Sequence, residues 1–261
     1  MAEAARRIDR IDTAARFTAA DAEALNARFA AVPTRAMLAQ VLAEGLAGRI
    51  AAVSSFGAES AVLLHLLADI DRNVPVLFLD TGKHFPETLA YRDELAGRLG
   101  LSNVIDLVPD PAALIQRDES GLRWSYDPDG CCEIRKVQPL AAALAGFDAT
   151  FTGRKGFQNA ARAGLARFEL DLTDQAGRLK INPLADWSSD QIGSYMAAAG
   201  LPAHPLVAGG YPSIGCSPCT SKVAPGEDAR SGRWNGWDKT ECGIHVDGAA
   251  DDLPPGYDPA F

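Results

Sequence analysis

The run Val-Pro-Val-Leu-Phe-Leu at Val74–Leu79 is apolar at every position and breaks abruptly at Asp80-Thr81-Gly82. A strand that is apolar on both faces has to be covered on both, the condition met in parallel sheets with helices on either side. The next segment, "PETLAYRDELAGRLG", has the marks of such a helix, opening on Pro86 and closing on Gly100. The same order recurs upstream, where "RIAAVSSFGAES" ends an apolar run in Ser, Ser and Gly before the helix-length "AVLLHLLADI". "NVIDLVPD" and "ATFTGRK" are expected as two further strands, and the Ala-, Glu- and Arg-rich first 50 residues as two helices over Ala19–Ala31 and Thr34–Ala47. Apolar strands alternating with helices predict an α/β fold with a mostly parallel sheet covered on both faces.

A chain of 261 residues suits one such domain with an attached segment. From about Ala203 the composition turns to Gly, Pro, Ser, Trp and Cys, and the tail after Val246 carries four Asp and no basic residue. The expected division is a single α/β domain over residues 1–234 and a mobile segment over 235–261. A formal charge of −9 argues against a general nucleic-acid binder. No apolar run approaches ~18 residues, so no membrane span is expected. "MAEAARRIDR" has no apolar leader core, which makes a reducing cytoplasm the expected location.

Ligands of open parallel sheets bind beyond the carboxyl ends of the strands, and three strand ends here carry suggestive loops. "SSFGAES" offers small residues and a Gly before a helix, so its N–H groups can face a phosphate; an ordinary strand-to-helix turn explains it equally well. It has neither Walker A nor dinucleotide-binding spacing. "LDTGKHF" can bring Asp80 and Thr81 to a ribose or base, or simply turn. "TGRKGFQNAARAG" puts Arg154, Lys155 and Arg162 within nine positions, for an anionic ligand or as a solvated basic patch. His65 reads as an ordinary helix residue, while His84 and His204 carry no assignment.

Five cysteines are present: adjacent Cys131 and Cys132, the pair Cys216 and Cys219, and Cys242. Close spacing in a reducing compartment points to metal ligands or catalytic thiols rather than disulfides. "CSPC" alone is open to zinc, a redox dithiol or half of an iron–sulfur site. Two pairs complete four thiolates, and adjacent cysteines reach different corners of a cluster more easily than one tetrahedral ion, which favours a cluster over zinc. Lys136 lies about a helical turn beyond the first pair, near enough to stand beside a cluster, or else as a surface lysine. Cys242 lies apart in "KTECGIH"; Lys239 and His245 can stabilise its thiolate while Glu241 opposes them. On a mobile arm it can attack a substrate and then present a covalent product to a second protein.

"SSFGAES", "LDTG", the two cysteine pairs, "GEDARSGRW" and "ECGIH" together resemble the assimilatory adenylylsulfate reductases, the cluster-containing, thioredoxin-dependent branch of the phosphoadenylylsulfate reductase family. The resemblance spans roughly Ile50 to His245 and implies an adenine nucleotide alpha-hydrolase-like (PP-loop) fold. It implies that Cys131, Cys132, Cys216 and Cys219 hold a 4Fe–4S cluster, that Cys242 is the nucleophile, and that Lys136 stands between cluster and substrate. Ser54, Ser55, Phe56 and Gly57 match the nucleotide loop, and Leu79, Asp80, Thr81 and Gly82 the adjacent one. Arg162, Arg230 and Arg233 match basic positions that meet the phosphosulfate. The implied reaction is reduction of adenylylsulfate to sulfite and AMP through a cysteine S-sulfonate, with thioredoxin or a similar dithiol as donor and homo-oligomerisation left open. One departure stands out: Gly156 and Phe157 replace a basic and an acidic residue of the family pattern.

Three other readings compete. A 3′-phosphoadenylylsulfate or dual-substrate reductase shares the fold, though members restricted to that substrate generally lack the four cysteines. A PP-loop enzyme modifying tRNA fits poorly with the acidic chain and terminal "ECGIH". A cluster-stabilised nucleotide sensor needs no fifth cysteine.

Overall fold

In the computed structural model, which describes residues 16–158, 162–172, 174, 177–237, 239, 243 and 244, the apolar runs pair side by side. Strands β1 (Ile50–Val53), β2 (Val76–Leu79), β3 (Val104–Leu107), β4 (Ala149–Thr152), β5 (Phe168–Leu170) and β6 (Leu179–Ile181) make one sheet in the order 3-2-1-4-6-5. Every neighbouring pair is parallel except β5 and β6. That antiparallel edge was not among the expected strands. Its members have three residues each, too few for a period of two to register in sequence.

The helices are α1 (Ala19–Phe29), α2 (Thr34–Ala43), α3 (Ser60–Ala68), α4 (Pro86–Leu99), α5 (Pro111–Arg117), α6 (Pro128–Cys132), α7 (Gln138–Leu144), α8 (Ser189–Ala198) and α9 (Pro205–Ala208). Helix α4 begins at Pro86 and stops at Gly100, whose φ of +66° takes the left-handed conformation that ends helices. Alternate residues of the strands go to opposite faces. Ala52, Val76 and Phe78 join the larger core with residues of α1–α4 and α8. Ala51, Leu77 and Leu79 face the other way, against Leu140 and Leu144 of α7. Each fully buried Leu or Phe stabilises the fold by roughly 1.5–3 kcal/mol.

Two features of this fold position the site. The chain leaves β1 for β2 and β3 and returns to β4 on the other side of β1, so the loops after β1 and β4 part company at a switch point. The register Val53↔Leu77 and Val53↔Thr152 brings the ends of these strands close together.

The second feature is the junction of α6 and α7, which run on through a π-helical turn at Glu133–Val137, with Gln138 N–H bonded to the Glu133 carbonyl. Pro139 accounts for the wide turn. In α-helical register its ring would collide with the carbonyl of Arg135, and it has no N–H to give.

Residues 201–237 are loop-rich as expected, with α9, a 3-10 turn at Ser217–Cys219 and a bridge between Thr220 and Arg233 as their regular pieces. Among the described residues no helix is long and apolar enough to cross a membrane.

Candidate active site

A cavity of about 340 Å³ opens at the carboxyl ends of β1, β2 and β4. Ser54, Ser55 and Gly57 line it from the loop after β1, and Leu79 and Thr81 from the loop after β2. Arg162 lines it from the loop after β4, and Arg230 and Arg233 from the C-terminal loops. Lys136 reaches it from the π turn.

Phe56, Asp80 and Gly82, expected with their neighbours, are not among the lining residues. Phe56 has a left-handed backbone, φ +47°, that turns its ring into the core edge-on to Phe78 at 5.6 Å. Such a backbone costs on the order of 1–3 kcal/mol in a non-glycine residue, offset here by burial of the ring. The Ser54 hydroxyl accepts the Phe56 N–H at 3.2 Å, so this turn is what lets Ser55 and Gly57 face the cavity. Asp80 accepts the Gly82 N–H at 3.0 Å, and Gly82 has φ +65°. Both shape the turn rather than the wall.

The four cysteines meet in a second, smaller cavity beside the first. Cys131 and Cys132 come from α6, Cys216 and Cys219 from the start and end of the 3-10 turn, and Arg135, Lys136 and Lys83 are the cations among the other lining residues. Lys136 and Cys216 line both cavities. Burial pushes the Cys131 thiol up to about 11, with Arg135 opposing. Burial also raises Cys219. At Cys216 burial is outweighed by Lys136, the Thr81 hydroxyl and Arg233, and the thiol lies below its ordinary value. Thr81 Oγ1 is 3.3 Å from Cys216 Sγ.

A buried ion pair fixes the floor. Arg135 donates to Asp118 at 2.6 and 3.1 Å and to the Thr81 carbonyl at 2.8 Å, tying the loop after β2 to the cysteine helix. Among the described residues no three His, Cys, Asp or Glu side chains group as ligands of one metal ion. The four thiols nevertheless share one small cavity with the cations Lys83, Arg135 and Lys136.

Arg154 and Lys155 are not a solvated patch; both are buried. Arg154 donates to Glu169 at 2.7 Å and Asn182 at 3.3 Å, bracing β4 against the β5–β6 edge. Lys155 donates to Glu59 at 2.8 Å across the switch point. Gly156 has a local cause: a Cβ there would lie 3.1 Å from the Ala185 carbonyl oxygen. Phe157 stands half exposed at the rim of the cavity.

Glu59 went unnoticed in sequence because its partner lies 96 positions away. His84 also lines the cavity. It donates from Nε2 to the Leu79 carbonyl at 2.7 Å and stacks on Phe78; burial first, and nearby Lys136, lower its pKa against the opposing bond to Leu79. Trp234, a further lining residue, packs under Arg233 at 4.5 Å.

Cys242 lies outside the described residues, as does most of the segment expected to be mobile. Of its neighbours, Ile244 lines the large cavity, and a Cβ on Gly243 would meet Val137 at 3.4 Å.

A mostly parallel sheet with a cationic cavity at its switch point defines a doubly wound α/β protein. Solved structures share that fold: phosphoadenylyl-sulfate reductase from Candida auris (TM-score 0.65, 24% identity, covering 79% of this chain and 98% of that one) and FMN adenylyltransferase from Candida glabrata (TM-score 0.52, 16% identity, covering 77% and 74%). Residues 49–222 match the phosphoadenosine phosphosulfate reductase domain. Relatives named adenosine 5′-phosphosulfate reductase are 51% identical in Mesorhizobium japonicum, over 93% of this chain and 94% of that one, and 54% identical in a Chelativorans species, over 77% and 80%. This chain belongs to the phosphoadenosine phosphosulfate reductase family.

Proposed function

We propose that the chain reduces adenylylsulfate to sulfite and AMP in sulfate assimilation, with a thioredoxin-like dithiol as donor in a reducing cytoplasm. What supports this most is that Lys136 and Cys216 line both the nucleotide-sized cavity and the cysteine cavity. The sulfur end of the substrate then lies against Lys136 and Arg233, on the cysteine side. The nucleoside takes the loops after β1 and β4, with Arg162 and Arg230 adding positive charge for the phosphosulfate. Arginines suit this task because their planar donors match phosphate and sulfate oxygens.

The Cys242 thiolate, on an arm formed by residues 235–261, attacks the sulfur. A sulfur–sulfur bond forms, the sulfur–oxygen bond to phosphate breaks, and AMP leaves with the electron pair. Cations aimed at the departing phosphate stabilise that charge. A donor thiolate then attacks the Cys242 sulfur and sulfite departs. The second donor thiol resolves the mixed disulfide, so two electrons from the donor reduce the sulfur. Cys131, Cys132, Cys216 and Cys219 would hold a 4Fe–4S cluster, which supplies a fixed local field when bound. Lys136 holds the sulfonate end toward that side and orients it for attack.

A second reading, use of 3′-phosphoadenylylsulfate, is favoured by a relative from Gloeobacter violaceus named phosphoadenosine 5′-phosphosulfate reductase, 41% identical over 76% of this chain and 83% of that one. A nucleotide sensor is the non-enzymatic rival. The test is anaerobic incubation of cluster-loaded protein with adenylylsulfate and no reductant, then intact mass spectrometry. One sulfonate gained per chain, one AMP released, and neither with Cys242→Ser is the expected result. Absence of the adduct from loaded protein overturns the first step.

A further inference from the structure

The pair between Glu59 and Lys155 joins the loops after β1 and β4 at the switch point, and both residues line the large cavity. Lys155 is only 3% exposed, whereas the Glu59 side chain is 30% exposed. The lysine therefore holds one carboxylate oxygen in place, while Glu59 stays open toward the cavity and solvent. The lysine's own loop is fixed as well, since Lys155 N–H donates to Gln158 and Gly156 N–H to the Ala185 carbonyl.

In a cavity otherwise rich in lysine and arginine, Glu59 is one of two acidic lining residues among the described residues. The other, Asp228, accepts the Arg230 backbone N–H at 2.6 Å in a turn of the C-terminal loops. A carboxylate anchored this way accepts hydrogen bonds from hydroxyl groups and repels a phosphate in the same place. Dinucleotide enzymes use the same device, an acidic residue for a free ribose hydroxyl and an arginine for its phosphate.

We infer that Glu59, positioned by Lys155, accepts a hydrogen bond from the ribose and thereby selects a nucleotide with a free 3′-hydroxyl over its 3′-phosphorylated counterpart. The inference rests on the adenylylsulfate reading above and deepens it. The sulfur end lies with Lys136 and Cys216 on the β2 side, which leaves the nucleoside toward β1 and β4, where Glu59 stands. A 3′-phosphate arriving there has no hydroxyl to donate and sets its charge against the carboxylate oxygen that Lys155 leaves open, which disfavours it.

The experiment is calorimetric binding of AMP and of adenosine 3′,5′-bisphosphate to the cluster-loaded protein, with the ratio of kcat/KM for the two corresponding sulfates as a second readout. The native protein is expected to prefer AMP by about tenfold or more. Glu59→Gln, close in shape and without charge, shrinks that preference by about tenfold, while Glu59→Asp, which keeps the charge, largely retains it. An unchanged ratio in Glu59→Gln, or no preference in the native protein, overturns the inference and leaves the reductase reading intact. A native protein that binds neither nucleotide and forms no S-sulfonate overturns that reading, and the inference with it. Thermal melting of each variant is read alongside: a purely structural latch shifts stability and leaves the ratio where it was.

Discussion

His204 is seated where a proton is unwelcome. It is 1% exposed, its Nδ1 accepts the Leu206 N–H at 3.2 Å, and its Nε2 donates to Thr88 Oγ1 at 3.1 Å. Burial, with Glu87 opposing, lowers its pKa from 6.5 to about 4. Between those values the unfolded chain binds the proton and the native one does not, so stability falls as pH drops through that window. The loss is at most about 3 kcal/mol. Urea titrations across the window should show this slope in the native protein and a flatter one in His204→Gln.

Asp118 makes the opposite kind of contribution. Its carboxylate is fully buried against Arg135, and Asp118→Ala leaves that guanidinium uncompensated. A loss of about 3–5 kcal/mol is expected, visible as a large drop in melting temperature. At this scale the sequence was most legible where chemistry is written in residue type. The four cysteines and Lys136 could be singled out because few residue types bind metals or anions, and the fold gathers all five at one small cavity. Phe56 could not be placed, because its direction depends on one left-handed dihedral. The burial of Arg154 and Lys155 depends on Glu169 and Glu59, partners that no local window contains.

At the scale of elements, the helix bearing the cysteine pair depends on its π turn. Cys131 and Cys132 stand four residues before Arg135 and Lys136, a spacing that shares one helix face, and all four line the cysteine cavity, while the wide turn bonded five residues apart carries the chain on into α7. Pro139→Ala removes the cause of that turn. The helix is then free to close into α register, which turns α7 relative to the cysteine helix and shifts Arg135 and Lys136 at the junction. Replacing a helical proline with alanine should also raise helix stability by on the order of 1 kcal/mol or more. A more stable protein whose kcat/KM falls about tenfold is the expected combination, the fall reflecting lost orientation. Equal or higher activity together with higher stability would show that the wide turn is dispensable. The strands β1 and β2 were legible as apolar runs ending in a turn, and β3 and β4 as short β-branched stretches closed by the same kind of turn. The π turn was not, since a proline after a short helix ordinarily marks an end, and here the chain continues.

For the molecule as a whole, the cysteine cavity is where two unlike parts meet. Helix α6 belongs to the sheet domain, with α7 covering one face of it. Residues 209–237 have no helix or strand beyond a short turn and one bridge, and Ile214, Cys216 and Trp234 are their buried hydrophobic residues. So small an apolar contribution does not offset the entropy of ordering nearly thirty residues, which costs about 1–2 kcal/mol each in backbone freedom alone. On the proposed reading, a cluster held by both cysteine pairs makes up much of that deficit, because a group that binds only the folded arrangement adds its binding energy to folding. Stability should then be divided. Removing iron with a chelator under anaerobic, reducing conditions should open residues 209–237 first, with tryptic cuts after exposed Lys222 and after Arg230 while the sheet stays protected. Nucleotide affinity should fall in step with those cuts, because Arg230 and Arg233 line the cavity from this segment. If the sheet and the segment instead lost protection together, the segment would be held mainly by its own packing on the domain, and the cysteines would owe their place to catalysis alone.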